Sequence, residues 1–378
     1  MRIFVPKETT PGERRAAIVP ETAKRLAGLG AEVTIESGLG ASIYRSDAEY
    51  ESAGARVIVD RVAGLREADV VLRLQKPPSD EIASLRANAV HISFLDPFNE
   101  RDLVERLAAA KVSTICMEMI PRSTIAQKMD ALSSQSSLTG YHAVILAADE
   151  LDRVFPMMMT PAGTIQPARL FVIGVGVAGL QAIATAKRLG ARVEAFDTRP
   201  AVEEQVRSLG ARFVKIDLGE TGQTEQGYAR ALTAEQLAMQ REEMAKHCAM
   251  ADVVITAAQV FGKKAPIIVT TEMVRHMKPG SIVIDLAVET GGNVECLEPG
   301  KVIDVNGVRV VGHTNMPSRA AGPASEMYSN NIGALVEHLW NKERNRIEID
   351  PADELVRSCL ITHDGRIVSE AIKAHYNL

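Results

Sequence analysis

Residues 168–200 read ARLFVIGVGVAGLQAIATAKRLGARVEAFDTRP, and this stretch decides the fold class of the chain. An apolar strand, 170–173, leads directly into Gly174-Val175-Gly176-Val177-Ala178-Gly179, where a helical run begins. A second strand follows the helix and ends at Asp197. A glycine-rich turn between a strand and a helix, with an acidic residue after the next strand, is typical of a dinucleotide-binding βαβ unit.

Each glycine of this turn has its own physical role. We expect Gly174 to permit the tight turn, Gly176 to let the backbone approach a pyrophosphate, and Gly179 to let the helix pack closely on the sheet. The start of the helix offers unpaired N–H groups and a partial positive charge to the phosphates. The alternative is a glycine-rich buried turn in an α/β domain that binds no nucleotide.

Asp197 bears on the choice of coenzyme. A carboxylate accepts two hydrogen bonds from a free ribose diol but repels a 2′-phosphate, so Asp197 favours NAD(H) over NADP(H). Arg199 complicates this prediction, because it could accommodate a 2′-phosphate, pair with Asp197, or reach the phosphates of the coenzyme itself. The sequence leaves these three possibilities open.

Composition excludes several classes of function. The chain has 378 residues, is 46% hydrophobic and 24% charged, and carries a net charge of −5, which provides no basic surface for nucleic acid. Four widely spaced cysteines, the absence of a signal-peptide pattern and the absence of a long apolar run predict a cytosolic chain that does not insert into a membrane. We expect no metal site, because there is no HExxH motif and no close pair of histidines.

The rest of the chain predicts two domains. A helix, then Gly-Ala, then an apolar run recurs in both halves, at 30–33, 54–57, 190–193 and 210–213. Repeated αβ units predict an α/β fold with two Rossmann-like, doubly wound parallel sheets and an interdomain cleft. We place the first, discontinuous domain at 1–135 plus 320–378 and the nucleotide-binding domain at 136–319.

Three shorter patterns add detail. Residues 136–151 and 323–340 each predict a helix. Val305-Asn306-Gly307-Val308 predicts a hairpin, because Asn-Gly suits the type I′ turn. Two polar loops, 121–137 and 218–229, carry side chains that could contact a ligand or could simply be solvated.

Several longer motifs resemble one family. They are PKETTPGERRAAIVPE, MDALSSQSSLTGYHAV, the GVGVAG turn with FDTRP, GQTEQGYA, FGKKAPIIVTTEMVRHMKPGSIVIDLAVETGGNVE and GHTNMPSRAAGPASEMYSNN. With these motifs the chain resembles domain I, the NAD(H)-binding part, of proton-translocating nicotinamide nucleotide transhydrogenases, which in some bacteria is a separate soluble α1 subunit. The resemblance covers almost the whole chain.

The resemblance implies roles for particular residues. The loop that meets the nicotinamide end of NAD(H) would contain Arg122, Gln127, Asp130 and Ser133, and Gln127 would also reach the NADP(H) of a partner domain. The residues that surround the rest of the coenzyme would be Gly176, Val177 and Ala178 at the pyrophosphate, and Asp197, Thr198 and Arg199 at the adenosine ribose. A mobile loop that closes over the nucleotide would contain Gly227 and Tyr228.

The resemblance also implies partners. This chain has one convincing dinucleotide fingerprint, so the second nicotinamide ring must come from another polypeptide. The implied partners are a second copy in a homodimer, a membrane-spanning transhydrogenase domain and an NADP(H)-binding domain III. The chain would then lie in the cytoplasm at the inner face of the cytoplasmic membrane, and proton translocation would be a property of the complex.

Alanine dehydrogenase is a related family and supplies the main alternative, an NAD-dependent amino-acid dehydrogenase. It is similar around Arg15 and Lys76, which would hold the carboxylate and carbonyl of a keto acid. Its catalytic histidine is expected near HISFLDP, where this chain has Asp96, and that difference weakens the alternative. A binding module that senses NAD without hydride transfer is a third possibility.

Overall fold

The computed structural model describes residues 1–219 and 232–378 of the chain. These residues form two compact units, one of Met1–Gln135 with Ser318–Leu378 and the other of Ser136–Pro317. Each unit is built on its own, mainly parallel sheet. Along the sequence, the second unit is therefore inserted into the first.

The first unit begins with strands and helices in alternation. In chain order they are β1 (Arg2–Val5), α1 (Pro20–Gly28), β2 (Glu32–Glu36), α2 (Asp47–Ser52), β3 (Arg56–Ile58), α3 (Arg61–Glu67), β4 (Val70–Leu72), β5 (Val90–Ser93), α4 (Arg101–Ala109), β6 (Ser113–Cys116) and the start of α5 (Ala131–Glu150).

The second unit continues from α5 with the same alternation. Its elements are β7 (Met158–Thr160), β8 (Gly163–Ile165), β9 (Arg169–Ile173), α6 (Val177–Arg188), β10 (Arg192–Phe196), α7 (Glu203–Ser208), β11 (Arg212–Phe213), α8 (Ala234–Met250), β12 (Val253–Thr256), α9 (Thr271–Arg275), β13 (Ile282–Asp285), β14 (Val302–Val305) and β15 (Val308–Val311).

The C-terminal segment completes the first unit. It contains α10 (Ala321–Leu339), β16 (Trp340–Asn341), β17 (Arg346–Ile347), α11 (Glu354–Cys359), β18 (Leu360–His363), β19 (Arg366–Ile367) and α12 (Glu370–Tyr376).

The two sheets confirm the predicted α/β class. The first has the order β19-β18-β6-β5-β4-β1-β2-β3, in which only β18 and β19 pair antiparallel. The second has the order β11-β10-β9-β12-β13-β15-β14, in which only β14 pairs antiparallel. The strand order reverses between β1 and β4 in one sheet and between β9 and β12 in the other. In open parallel sheets, ligands bind beyond the carboxyl ends of the strands at such a reversal.

Apolar packing on both faces of each sheet holds the units together. In the first unit, the long helix α10 packs on α1 and buries Ile332, Leu335 and Val336 completely. Burying an aliphatic side chain of this size stabilises a fold by about 1.5–3 kcal/mol. The strands of the second unit are apolar on both sides, since Val253–Thr256 and Ile282–Asp285 are buried throughout. Continuous burial of this kind is the mark of a parallel sheet covered by helices on both faces.

The predicted Asn-Gly hairpin is confirmed. Strands β14 and β15 pair antiparallel with Val305 opposite Val308, and the two residues between them have positive φ, 57° at Asn306 and 81° at Gly307. Positive φ at both central positions defines the type I′ turn, which is why Asn-Gly occurs there.

A second hairpin has no counterpart in the sequence predictions. Strands β7 and β8 pair only with each other, and every residue of both is exposed. Met157, Met158 and Met159 lie at its start, and the Met159 side chain is 76% exposed. Exposed clusters of large apolar side chains are typical of surfaces that another protein covers.

Among residues 1–219 and 232–378, no helix has the length and apolarity that crossing a bilayer demands.

Candidate nucleotide-binding site

The glycine-rich turn lies at the carboxyl end of β9, beside the strand-order reversal. Gly174 has φ of 93° and donates its N–H to the Phe196 carbonyl at 2.9 Å. A Cβ at Gly174 would lie 2.7 Å from the Ala257 carbonyl carbon, in the loop that follows β12. Position 174 therefore requires glycine both for its backbone angle and for the close approach of a neighbouring loop.

Gly179 allows the helix to pack against its own strand. A Cβ there would lie 2.1 Å from the Gly174 carbonyl oxygen, so helix α6 contacts the turn through bare backbone. Gly140 on α5 makes a similar contact, because a Cβ at that position would lie 2.0 Å from the Ala178 carbonyl oxygen. Sequence reasoning singled out Gly179 and missed Gly140, which lies in a long helix with no local turn signal.

Gly176 differs from its two neighbours. Its φ of −87° is open to any residue, and a Cβ built on it meets no atom within 4 Å. It precedes the 12-residue helix α6, whose N-cap makes no side-chain hydrogen bond. The first amides of that helix, at Val177 and Ala178, have no partner within the helix and lie in half-exposed residues. Open space in front of an uncapped helix N-terminus fits a pyrophosphate.

Asp197 closes the other side of the turn. Its carboxylate accepts hydrogen bonds from the Val175 N–H at 2.7 Å and the Arg199 N–H at 2.9 Å. It also accepts from the guanidinium of Arg199, at 2.8 Å from Nε and 2.7 Å from Nη2. The hydrogen bonds with Asp197 raise the pKa of Arg199. Of the three possibilities for Arg199, the structure therefore has the pairing with Asp197. Thr198 lies between them and is half-buried.

The loop after β12 forms a second wall beside the turn, and Asn293 holds it. The Asn293 side chain is fully buried, accepts from the Ala258 N–H at 3.0 Å, and donates to the Ala258 and Pro266 carbonyls at 2.8 and 2.9 Å. Its own N–H donates to Asp285 at 2.6 Å. Sequence reasoning did not identify this function of Asn293, because its partners are distant in sequence.

Asp285 supports Asn293 from the end of β13. Besides the Asn293 N–H, its carboxylate accepts from the amides of Ala287 at 2.7 Å and Val294 at 3.0 Å. Burial raises the pKa of Asp285, although these hydrogen bonds act in the opposite direction. The side chain therefore works as an internal anchor for the backbone, and it is not an exposed acid.

In the first unit, the predicted polar loop becomes a helix cap. Asp130 accepts from the Ser133 N–H at 2.9 Å and from the Ser133 hydroxyl at 2.6 Å. An acceptor side chain bonded to the third helical amide is an N-cap, so α5 begins at Ala131 and not at 136 as predicted. Gln127 lies exposed in the single 3₁₀ turn Ala126–Met129 that precedes the cap.

The sequence-predicted residues thus fall into distinct groups. The second unit brings together Gly174, Gly176, Val177, Ala178, Gly179, Asp197 and Arg199. The first unit brings Asp130 and Ser133 into contact, with Gln127 and Arg122 exposed upstream of them. Gly227 and Tyr228 lie outside the described residues.

The residues expected to hold a keto acid are arranged differently from the prediction. Arg15 is buried and pairs with Glu13 at 2.7 Å, and Gln75 donates to the same carboxylate at 2.8 Å. Lys76 instead forms an ion pair with Glu100 and is 42% exposed. The prediction for Lys76 was therefore wrong by one residue, because successive side chains of an extended segment point in opposite directions. The position beside Arg15 carries a neutral amide.

Two carboxyls near the carboxyl ends of β1 and β4 have opposite pKa shifts. Burial raises the pKa of Glu8 to about 7, against the charge of Arg73 and the backbone amides of Leu74 and Gln75. Burial acts the same way on Glu13, but hydrogen bonds and charge from Arg15 outweigh it and lower its pKa to about 2. Within the portion of the chain that the structure describes, no group of His, Cys, Asp or Glu side chains is arranged to hold a metal ion.

Comparisons with known proteins match both units. The family model "Alanine dehydrogenase/PNT, N-terminal domain" matches residues 4–139, and "Alanine dehydrogenase/PNT, C-terminal domain" matches residues 143–370. The first of the polypeptides that make up NAD(P) transhydrogenase subunit alpha in Rhodospirillum rubrum is 46% identical over 379 residues, covering 98% of this chain and 99% of that protein.

Solved structures agree with this assignment. The structure described as transhydrogenase from Sinorhizobium meliloti matches with a TM-score of 0.87 at 45% identity, over 97% of this chain and 100% of that one. An L-alanine dehydrogenase structure matches with a TM-score of 0.82 at 23% identity, over 100% and 99% of the two chains, which shows a shared fold. The chain therefore belongs to the alanine dehydrogenase/PNT family, and it resembles NAD(P) transhydrogenase alpha subunits over nearly its whole length.

Proposed function

We propose that this chain is the NAD(H)-binding subunit of a proton-translocating transhydrogenase and that it exchanges hydride with NADP(H) held by a partner domain. One observation carries the proposal. The open space at Gly176, in front of the uncapped helix α6, fits a dinucleotide pyrophosphate in a chain that matches a transhydrogenase alpha subunit from end to end.

Asp197 supports NAD(H) as the coenzyme on this chain. It lies at the end of β10, next to the turn, where a carboxylate in a Rossmann domain accepts the ribose hydroxyls. A 2′-phosphate beside this carboxylate would be repelled. We therefore assign NAD(H) to this chain and NADP(H) to the partner domain.

The nicotinamide end of the site is assigned to Arg122, Gln127, Asp130 and Ser133. Asp130 is held at the start of α5 by the amide and hydroxyl of Ser133, so its carboxylate has a defined position. Gln127 is exposed and its side chain can reach a second nucleotide on a partner. The bound dinucleotides supply the rings between which hydride moves. The chain itself needs only to orient one ring and exclude water.

The remaining assignments rest on the family resemblance. Gly227 and Tyr228 would belong to a loop that closes over the nucleotide. Partners would be a second copy of the chain, a membrane-spanning transhydrogenase domain and domain III, with the assembly at the inner face of the cytoplasmic membrane. The exposed apolar hairpin β7–β8 supports association with another protein surface. Sedimentation equilibrium of the purified chain tests the homodimer, and a monomer at all concentrations would contradict it.

Reconstitution tests the central proposal. The purified chain is mixed with an NADP(H)-binding transhydrogenase domain, and reduction of an NADP⁺ analogue by NADH is followed by absorbance. We expect exchange only when both proteins are present. A folded sample that binds NADH but supports no exchange would reject the proposal. Steady NADH formation from alanine without a partner would instead support an amino-acid dehydrogenase, for which Gln75 and Asp96 are unfavourable.

A further inference from the structure

The contact between Asp197 and Arg199 has a consequence for how the coenzyme enters. An ionised carboxylate offers about four acceptor positions, two on each oxygen. On Asp197, Oδ1 accepts from the backbone N–H and Nε of Arg199, and Oδ2 accepts from the Val175 N–H and Nη2 of Arg199. The carboxylate is therefore saturated by the protein, and only 5% of the Asp197 side chain is exposed.

These four hydrogen bonds are of two kinds. Two come from backbone amides that belong to the turn and to the chain after β10, and they are fixed by the fold. The other two come from the Arg199 guanidinium, whose Nη2 also donates to the Val175 carbonyl at 3.0 Å. If the side chain moves away, each oxygen of Asp197 keeps one backbone donor and gains one vacant position.

The two vacant positions match the coenzyme. They are adjacent, one on each oxygen, and a guanidinium fork fills them with two parallel N–H groups. The 2′- and 3′-hydroxyls of an adenosine ribose also present two adjacent donors. We propose that the Arg199 fork is a built-in competitor of the ribose diol, which must displace it before Asp197 can bind NAD(H). This inference rests on the proposed function, because it concerns the same coenzyme site.

Displacement makes Arg199 a residue that sets affinity through the accessibility of Asp197. A side chain that occupies the site for about nine-tenths of the time weakens the apparent affinity about tenfold. The same occupation slows association and leaves dissociation unchanged, because the fork is already absent from the bound state. An arginine that only contacted the coenzyme would act in the opposite way, by slowing dissociation.

Arg199→Lys tests the inference, since lysine keeps the positive charge but cannot form the planar two-point fork. NADH binding to the full chain is measured by calorimetry, and association and dissociation rates by stopped-flow fluorescence. We expect the variant to bind NADH about tenfold more tightly, with the gain in the association rate. Arg153→Lys is the matched control, because Arg153 pairs with Asp252 at 2.8 Å in the same unit and should leave binding unchanged.

A truncated ligand gives an independent readout. Reduced nicotinamide mononucleotide has no adenosine ribose, so wild type and Arg199→Lys should bind it equally. Equal or weaker NADH binding by a folded Arg199→Lys variant would overturn the inference, as would a change confined to the dissociation rate. If the wild-type chain and both variants fail to bind NADH, the proposed function fails instead, so the two failures are distinguishable.

Discussion

The side-chain amide of Asn293 pairs with both backbone groups of Ala258, accepting from its N–H at 3.0 Å and donating to its carbonyl at 2.8 Å. Ala258 lies in the loop whose backbone approaches Gly174 of the nucleotide turn. One buried asparagine thus fixes the spacing between the two loops that flank the strand-order reversal. This makes Asn293 a positioning residue for the site, although it contacts no coenzyme in our assignment.

Asn293→Ala should weaken both the fold and the site. The substitution leaves buried backbone groups of Ala258 and Pro266 without a partner, at a cost of about 1–3 kcal/mol for each unsatisfied group. We expect the free energy of unfolding in urea to fall by about 2–4 kcal/mol. NADH affinity measured by calorimetry should fall as well. Asn99→Ala, at an exposed position, is the control and should change stability by less than about 0.5 kcal/mol. Unchanged stability of Asn293→Ala would contradict the assigned role.

Two glycines of the same turn should respond in opposite ways to an added methyl group. Gly176→Ala places a Cβ in open space, so the fold should keep its stability within about 0.5 kcal/mol while NADH binding weakens. Gly179→Ala forces a Cβ to 2.1 Å from the Gly174 carbonyl oxygen, so α6 must shift. We expect the second variant to unfold at markedly lower temperature in circular dichroism. If both variants lost stability alike, Gly176 would be a packing residue and the pyrophosphate assignment would fail.

Gln127 should affect hydride transfer more than binding. It is exposed in the turn before α5, and we assign it to the junction between the two nucleotides. Gln127→Asn shortens the side chain by one methylene group and should slow transfer in the reconstituted system about 10- to 100-fold, because small misplacements are costly in near-contact reactions. NADH affinity by calorimetry should change less than threefold, or about 0.7 kcal/mol. Gln166→Asn, at an exposed position just after β8, is the control. Equal losses in rate and affinity would indicate a plain binding residue.

The pH dependence of unfolding should carry the signature of Glu8. Burial raises its pKa to about 7 from the usual 4.5, so the folded chain retains a proton that the unfolded chain releases between these values. The contribution of Glu8 is therefore fully present below pH 4.5 and is lost as pH rises through 7, amounting to about 3 kcal/mol at most.

Glu8→Gln removes this titration while keeping an acceptor for the amides of Leu74 and Gln75. Relative to wild type, the variant should gain stability between pH 5 and pH 8, as measured by urea unfolding at several pH values. Glu32→Gln, an exposed carboxylate on β2, should follow wild type throughout. A constant difference between Glu8→Gln and wild type over this range would show that the carboxyl does not titrate as described.

Local patterns predicted much of this fold. The apolar strand before Gly174 and the repeated Gly-Ala helix ends are short-range signals, and both sheets follow from them. Asn306-Gly307 specified its hairpin because the required positive φ values depend on those two residues alone. The start of α5 was predicted five residues late, although Asp130 followed by Ser133 is itself a capping signal.

Other features could not be read locally. Gly140, Asn293 and the Glu13–Arg15–Gln75 contact join residues that are far apart in the chain, and no pattern of neighbouring residues indicates which of them meet. The choice between Gln75 and Lys76 depended on a one-residue change of face in an extended segment. The three possibilities for Arg199 stayed open because the rotamer of a long side chain depends on the acceptors around it.

Sequence alone therefore determined the strand–turn–helix order, the glycines and the acidic residue that together indicate a dinucleotide, because these depend on backbone angles and short spacings. Tertiary structure alone decided that Arg199 covers Asp197, that Asn293 holds the facing loop, and that Gly176 is the glycine with open space beside it. Those outcomes depend on which atoms from distant segments come within hydrogen-bonding or van der Waals distance, and only the folded chain brings them there.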